Sequence, residues 1–162
     1  MNFIESFNNK TILIPLLQRD YVQGCKESAV ISPFLDALLE KDCDLNYIYG
    51  YEEDGCFVPV DGQQRLITLW LLHLYLYACK KLTREYRVHM KFAAREYAND
   101  FCGRITEHIE ELLVKSSSYK SLDKAITDQN WFIRSWSKNA TVYNMLGTLK
   151  LIHRKVNERD TD

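Results

Sequence analysis

The stretch Val60-Asp61-Gly62-Gln63-Gln64-Arg65-Leu66 marks the place where a predicted β-strand passes directly into a predicted α-helix. The first turn of a helix leaves backbone N–H groups without intrahelical partners and carries a partial positive charge, so it attracts phosphate. Gly62 lets a ligand approach the backbone closely and permits an unusual turn. The sequence therefore predicts an anion-binding turn at residues 61–65.

Four side chains of this turn could act on a bound phosphate. Arg65 can bind phosphate oxygens with both arms of its guanidinium, and Gln63 and Gln64 can donate to oxygens or orient a water. Asp61 can hold a magnesium ion or polarise a water. In the simpler alternative, Asp61 is an N-cap, which is one of its favoured roles, and the other three side chains are solvated. Spacing alone leaves both interpretations open, because a five-residue pattern is weak evidence.

A second polar cluster, Gln18-Arg19-Asp20-Tyr21, follows another predicted strand. Functional residues are concentrated in loops at strand ends. Gln18 and Arg19 could complete the anion site, and Tyr21 could stack on a nucleotide base. Taken alone, the same residues would suit a surface loop with an Arg19–Asp20 ion pair. We expect Gln18 and Arg19 to face Arg65 across one cleft.

The segments around the two clusters predict an α/β (α+β) fold. A small mixed sheet contains a hairpin that turns at Glu53-Asp54-Gly55, and a long buried helix packs on this sheet. The loop at residues 116–118 separates a first domain, 1–115, from a helical extension, 116–162. The predicted strands cover 11–14, 46–51, 56–60 and 86–92. One predicted helix begins at Ser32-Pro33, and the other four cover 62–82, 94–114, 126–136 and 141–156.

Aromatic residues are interpreted mainly as packing residues. Tyr47, Tyr49 and Tyr51 alternate along a strand and place three rings on one face. This pattern favours a face that packs against helices, with a base-stacking platform as the alternative. Core positions are also predicted for Trp131, Phe132 and Trp136, and the i, i+4 spacing of the predicted helix at 94–114 is marked by Tyr97, Phe101, Ile105 and Ile109.

Composition excludes several classes of protein. The chain has 162 residues, of which 46% are hydrophobic and 27% charged, and its formal net charge is -1. This balance excludes a disordered chain and a strongly basic nucleic-acid binder. Five scattered cysteines without a C-x-x-C pair argue against a disulfide framework and against a zinc site. We expect reduced thiols and a cytoplasmic location.

No membrane partner is expected. The first residues lack the basic and apolar regions of a secretory signal. The most apolar stretch, residues 66–79, falls short of the roughly 20 residues that cross a bilayer.

The two clusters, in this order, resemble the N-terminal ParB-like domain of the GmrSD-type modification-dependent restriction endonucleases. Gln23 stands where that family usually has Trp, and Ile67 stands where it usually has Thr. The matching residues are Ile14-Pro15, Gln18-Arg19, Tyr21, Gly50, Asp61-Gly62-Gln63-Gln64-Arg65-Leu66 and Thr68-Leu69, with weaker similarity at Arg95, Phe101, Trp131-Phe132 and Trp136.

The resemblance implies a fold akin to ParB and sulfiredoxin, with a nucleoside triphosphate and Mg²⁺ bound at the strand–turn–helix. Asp61 and Gln63 become the catalytic candidates, and Asp61 is the candidate magnesium ligand. The candidate nucleotide- and phosphate-binding residues are Gln18, Arg19, Tyr21, Gly62, Gln64 and Arg65.

The function hypothesis is therefore a nucleoside triphosphate-binding and hydrolysing N-terminal domain of a modification-dependent restriction protein active in phage defence. The rival is a non-catalytic ParB-like module that holds DNA or a partner with the same arginines. Convergence of Asp61, Arg65 and Arg19 on one pocket favours the first hypothesis, and an open basic groove favours the second.

Nuclease activity is not expected of this chain by itself. Its histidines, at positions 73, 89, 108 and 153, form no His-Asn-His-type motif. Cleavage would come from a missing C-terminal nuclease domain or a partner subunit, and DNA would be contacted through the full-length protein. The apolar stripe at Leu146, Leu149, Ile152 and Val156 also predicts a longer protein, because such a helix needs a partner.

Overall fold

The computed structural model describes residues 3–24, 30–40, 47–82, 85–116 and 119–160. Its helices are α1 (Phe3–Phe7), α2 (Ile31–Leu39), α3 (Gln63–Ala78), α4 (Glu96–Lys115), α5 (Leu122–Thr127) and α6 (Ala140–Asp160), with a 3₁₀ helix at Arg134–Lys138. Its strands are β1 (Thr11–Ile14), β2 (Tyr49–Glu53), β3 (Cys56–Asp61) and β4 (His89–Phe92).

The four strands form one mixed sheet in the order β2-β3-β1-β4. The central strand β1 is parallel to both β3 and β4, whereas β2 pairs antiparallel with β3 as a hairpin. The predicted mixed sheet, hairpin, long buried helix and helical C-terminal part are confirmed. The predicted strand at residues 11–14 matches β1 at both ends.

The core lies between one face of the sheet and the helices. Helix α3 is buried on nearly all sides, as its run of apolar residues predicts, and Leu66, Trp70 and Leu71 are almost fully inaccessible. Residues on both sides of the predicted boundary at 115 contribute to the same buried cluster, and α6 packs on α3. Among the described residues, no helix combines the length and the low polarity that crossing a membrane requires.

Helix α3 ends at Ala78, four residues earlier than predicted. Lys80 adopts φ 57°. The Lys81 N–H donates to the Leu76 carbonyl at 2.9 Å, and the Lys80 N–H donates to the Tyr77 carbonyl at 2.9 Å. These two bonds form a Schellman motif, which usually has glycine at the left-handed position. The sequence does not indicate this helix end, because lysine occupies the position where glycine is usual.

Two other predicted helices are wrong in part. The segment 126–136 is not one helix, because α5 ends at Thr127 and the polar run that starts at Asp128 forms turns before the 3₁₀ helix. Short polar side chains compete with helical backbone bonds and favour such turns. Helix α2 begins at Ile31 after Val30, so Ser32 lies in the first turn and not at the predicted N-cap.

The tyrosines of the hairpin are exposed, and their predicted packing against helices is wrong. Tyr47, Tyr49 and Tyr51 are 77%, 59% and 50% exposed, and every residue of the edge strand β2 is exposed, so neither of its faces is covered by a helix. Tyr97 is also exposed, at 49%. Residue 46, the predicted first residue of this strand, lies outside the described residues.

The other predicted core aromatics divide into buried and partly buried side chains. Phe101, Phe132 and Trp136 are buried. Trp131 is half-buried and stacks on the His108 ring at a centroid distance of 5.0 Å.

Candidate functional site

Loops that follow the three parallel strands meet at one edge of the sheet. Residues 15–23 follow β1, Gly62 follows β3, and Arg95 lies just after β4. In α/β sheets, ligands bind outside the carboxyl ends of the strands. The fold therefore brings both polar clusters to the edge where such sites occur.

A cavity of about 510 Å³ lies at this edge. Arg19 comes from the first cluster, and Asp61 and Arg65 come from the second, so the prediction that both clusters share one cleft is confirmed. The residues that line the cavity are Gln18, Arg19, Gln23, Val30, Phe34, Asp61, Gly62, Gln63, Gln64 and Arg65.

The turn into α3 depends on Gly62. This residue has φ 83° and ψ 11°, a left-handed backbone conformation that is strained for residues other than glycine. A Cβ atom at Gly62 would lie 3.0 Å from Ile48 Cγ1 and 3.2 Å from Arg65 Nη2. Gly62 itself is the N-cap residue, no side chain of the described residues is recorded as capping the helix, and Asp61 is the last residue of β3. The alternative interpretation of Asp61 as an N-cap is therefore wrong.

Arg65 lies beside the turn, where a hydrogen bond and an ion pair contribute to its position. Its Nη2 donates to the Tyr47 carbonyl at 3.0 Å and lies 3.7 Å from Asp61 Oδ2. The Arg65 side chain is 24% exposed, whereas that of Asp61 is 71% exposed. Arg19 is exposed and has no ion pair with any residue in the described ranges. The cavity therefore has two guanidinium groups within it and one carboxylate at its rim.

Gln63 carries an acceptor atom that the protein does not use. The side chain is only 5% exposed. Its Nε2 donates to the Arg19 carbonyl at 3.4 Å, while Oε1 is buried without a hydrogen-bond partner among the described residues. The carbonyl of Arg19 sets the orientation, because the reversed amide would place two acceptors together. A buried acceptor of this kind is costly unless a donor reaches it.

Gln64 ties α3 to the loop that follows β1. Its Nε2 donates to the Asp20 carbonyl at 3.0 Å, and its Oε1 accepts from the Val22 N–H at 3.0 Å. Gln18 makes a similar tie, since its Nε2 donates to the Val60 carbonyl at 3.1 Å. Both residues line the cavity, and their direct contact with phosphate stays a prediction.

The prediction that Tyr21 stacks on a base is wrong. Tyr21 is fully buried, and its hydroxyl lies 2.9 Å from Thr68 Oγ1 and 2.8 Å from Thr148 Oγ1. Burial raises the pKa of Tyr21 to about 12. The ring is a packing element beneath the loop because both threonine hydroxyls satisfy its polar end.

Helix α6 holds the main chain of the same loop. The Tyr21 N–H donates to Thr141 Oγ1 at 3.3 Å, and Asn144 Nδ2 donates to the Tyr21 carbonyl at 2.9 Å. On the α3 side, Thr68 Oγ1 donates to Gln23 Oε1 at 2.6 Å. The position where the resembling family has Trp is thus occupied by a hydrogen-bonding amide. We call residues 18–23 the site loop.

Arg95 supports the site loop from the third strand end, a role that the sequence did not predict. Its Nη2 donates to the Gln18 carbonyl at 2.5 Å, its Nη1 lies 3.4 Å from Asp20 Oδ1, and its guanidinium lies 6.0 Å from the centre of the Phe92 ring. The family resemblance at this position was the one available signal. No signal in the sequence indicated that Val30 and Phe34 also line the cavity.

A magnesium ion at this site would have one carboxylate ligand from the protein, that of Asp61. No group of three or more His, Cys, Asp or Glu side chains in the described ranges could hold a metal. Mg²⁺ is commonly held by one or two carboxylates together with substrate phosphates. The exposed carboxylate of Asp61 at the cavity rim fits that share of the coordination.

The fold and the cavity define an α/β domain with a cavity lined largely by polar residues at the carboxyl ends of parallel strands. A family model described as GmrSD restriction endonuclease, N-terminal domain, matches residues 3–161. The chain therefore belongs to the family of N-terminal domains of GmrSD restriction endonucleases. No curated protein matches the chain, and no solved structure does.

Proposed function

We propose that this domain binds a nucleoside triphosphate with Mg²⁺ in the cavity at the start of α3 and hydrolyses it. Membership of the GmrSD family supports a role in phage defence within a restriction system. In this proposal, DNA and the nuclease act through the full-length protein, as a further domain or a partner subunit.

The observation that carries the proposal is the convergence of Arg19 and Arg65 on one cavity, at a helix N-terminus where the N-cap residue is a glycine. Phosphate oxygens accept hydrogen bonds from guanidinium groups and from the first amides of a helix. The left-handed Gly62 lets the Arg65 guanidinium lie against the turn, 3.2 Å from the position that a Cβ atom would take. The phosphates would lie against Gly62 and Arg65, and Arg19 would close the other side.

Gln63 supports the hydrolytic part of the proposal. In this proposal the Gln63 side chain turns towards the cavity that it lines, so that its Oε1, which is closed to solvent in this structure, accepts a hydrogen bond from the water that attacks the terminal phosphorus. The water oxygen bonds to this phosphorus as the bridging P–O bond breaks, which gives a nucleoside diphosphate and inorganic phosphate. Catalysis of this reaction rests on positioning and on charge neutralisation. When bound, Mg²⁺ held by Asp61 would supply part of that neutralisation.

The binding test is isothermal titration calorimetry of the chain with ATP, GTP, CTP and UTP in the presence of Mg²⁺. We expect Arg65→Ala to weaken binding about ten- to a hundredfold, because it loses a charge-assisted contact at a partly buried site. The control is Arg104→Ala, which removes an exposed arginine that pairs with Glu107 on α4. Equal affinities for wild type and Arg65→Ala would favour the non-catalytic interaction module.

The hydrolysis test is phosphate release from the best-bound nucleotide. We expect Gln63→Leu to abolish most of the turnover while binding changes by less than about threefold, because the substitution removes the acceptor and not the phosphate donors. A wild-type chain that binds nucleotide without releasing phosphate would limit the function to binding.

A further inference from the structure

The cavity has two chemically different walls. Its polar wall is made by the turn into α3 and by the site loop. The opposite wall is apolar and consists of Val30 and Phe34 from the start of α2. Phosphate groups would contact only the polar wall. Phosphate binding therefore does not account for the presence of an apolar wall.

Phe34 is not used by the hydrophobic core. Its neighbours Ile31 and Leu35 are buried, at 3% and 0% exposure, and Leu38 packs on the core from the next turn. Phe34 is half-buried, and it is absent from the partly buried apolar side chains that pack on the core within the described ranges. It lines the cavity together with Val30, which is 66% exposed.

We infer that the apolar wall is a nucleobase subsite, in which the base of the bound nucleotide packs on Phe34 and Val30. This inference rests on the proposed function, because the phosphates must first anchor the ligand at Arg65. Aromatic side chains stack on any base, since every base has a π face. The subsite therefore separates nucleotides from bare phosphates and discriminates weakly between the four bases.

The unused acceptor at Gln63 is consistent with a ligand that fills this cavity. Gln63 lines the cavity together with the apolar residues, and its Oε1 is closed to solvent without a partner among the described residues. A ligand that carries donors or brings an ordered water would satisfy this atom, whereas an apolar plug would not. The pairing of a polar and an apolar wall matches the two halves of a nucleotide.

The experiment compares ATP and UTP with inorganic tripolyphosphate, each with Mg²⁺, by calorimetry on the whole 162-residue chain. Tripolyphosphate carries the phosphates without a base. We expect wild type to bind both nucleotides about tenfold or more tightly than tripolyphosphate, in line with base stacking. We expect Phe34→Ala to remove most of this difference and to leave tripolyphosphate affinity unchanged.

Two further variants distinguish a loss of base stacking from a general effect on folding. Leu38→Ala truncates a partly buried residue of the same helix that faces the core, and it should keep the preference for nucleotides. Phe34→Tyr retains the ring and should also keep it, even if Phe34→Ala folds poorly. Circular dichroism and the thermal midpoint report folding for each variant.

The outcomes separate the inference from the proposed function. Tripolyphosphate binding as tightly as the nucleotides in wild type would overturn the subsite and leave the phosphate site intact. An equal loss of both ligands in Phe34→Ala would also overturn it, because the residue would then act on the fold. Failure of every ligand to bind wild type would overturn the proposed function itself.

Discussion

Gly147 on α6 and Gly24 after the site loop are in direct backbone contact. A Cβ atom at Gly147 would lie 2.3 Å from the carbonyl oxygen of Gly24, and a Cβ atom at Gly24 would lie 1.6 Å from the carbonyl oxygen of Asn144. Such distances are far shorter than van der Waals contact. Close approach of the loop to α6 therefore requires glycine at both positions.

We predict opposite effects for two Gly→Ala substitutions inside helices. Gly147→Ala should destabilise the protein by about 1–3 kcal/mol, because the added methyl group meets backbone that cannot move aside cheaply. Gly103→Ala on α4 is the matched control, since nothing lies within 4 Å of its Cβ position. It should stabilise by about 0.5–1 kcal/mol through helix propensity. Urea unfolding measures both, and the same sign for both would contradict the prediction.

The buried hydroxyl of Tyr21 gives a second prediction. Tyr21→Phe should lower the free energy of unfolding by about 1–2 kcal/mol at pH 8, because Thr148 and Thr68 each lose a partner. The folded-state pKa of Tyr21 is about 12, above the unfolded value of 10. Unfolded chains therefore release this proton first, and wild type loses about 1.4 kcal/mol of stability per pH unit between pH 10 and pH 12 through this group. The gap between wild type and Tyr21→Phe should close between pH 10 and 12.

Acid should weaken the fold through His73. Burial lowers the pKa of His73 below 6.5, although a hydrogen bond with the Leu69 carbonyl at 2.8 Å opposes the shift. Because the unfolded chain then binds a proton that the folded chain does not, stability falls as the pH drops below 6.5. His73→Phe should make the decline between pH 7 and 5 shallower in guanidinium unfolding. His89→Gln, on the exposed side of β4, should leave the decline unchanged.

Arg95 should act on ligand binding without touching the ligand. It does not line the cavity but holds the Gln18 carbonyl and Asp20 of the site loop. Arg95→Ala should weaken ATP binding about fivefold, because part of the binding energy then orders the loop. Arg95→Lys should not restore affinity, since a single ammonium cannot replace the planar fork. Full rescue by lysine would show that charge alone matters.

The strands, and the edge of the sheet at which the cavity lies, could be predicted because short stretches of sequence determine both. The β-branched run of β1 ends at Pro15, and the Asp-Gly pair separates β3 from α3 within two residues. Parallel strands present their carboxyl ends on one side. Two polar clusters at such ends are therefore neighbours, which is why Arg19 and Arg65 could be paired from the sequence.

The roles of Tyr21 and Phe34 were not predictable, because each depends on distant partners. A tyrosine in a polar stretch suggests exposure, and nothing local indicates that Thr148 satisfies its hydroxyl. Phe34 fits the apolar spacing of α2, but spacing does not tell whether a ring faces the core or a cavity. The exposed hairpin tyrosines were misread for the same reason, since β2's place at the sheet edge is a property of the whole topology.

The hydrogen bonds from α6 to Tyr21 join parts of the chain that are 120 to 127 residues apart. The cavity therefore cannot be completed during synthesis until Thr148 has emerged and α6 has docked. Contacts of such long range form late, because loop closure costs entropy before they contribute. Ligand binding and folding are then linked, so a nucleotide that holds the site loop also protects α6 from local opening. An incomplete nascent chain would lack the hydrogen bonds by which α6 holds the main chain of the site loop.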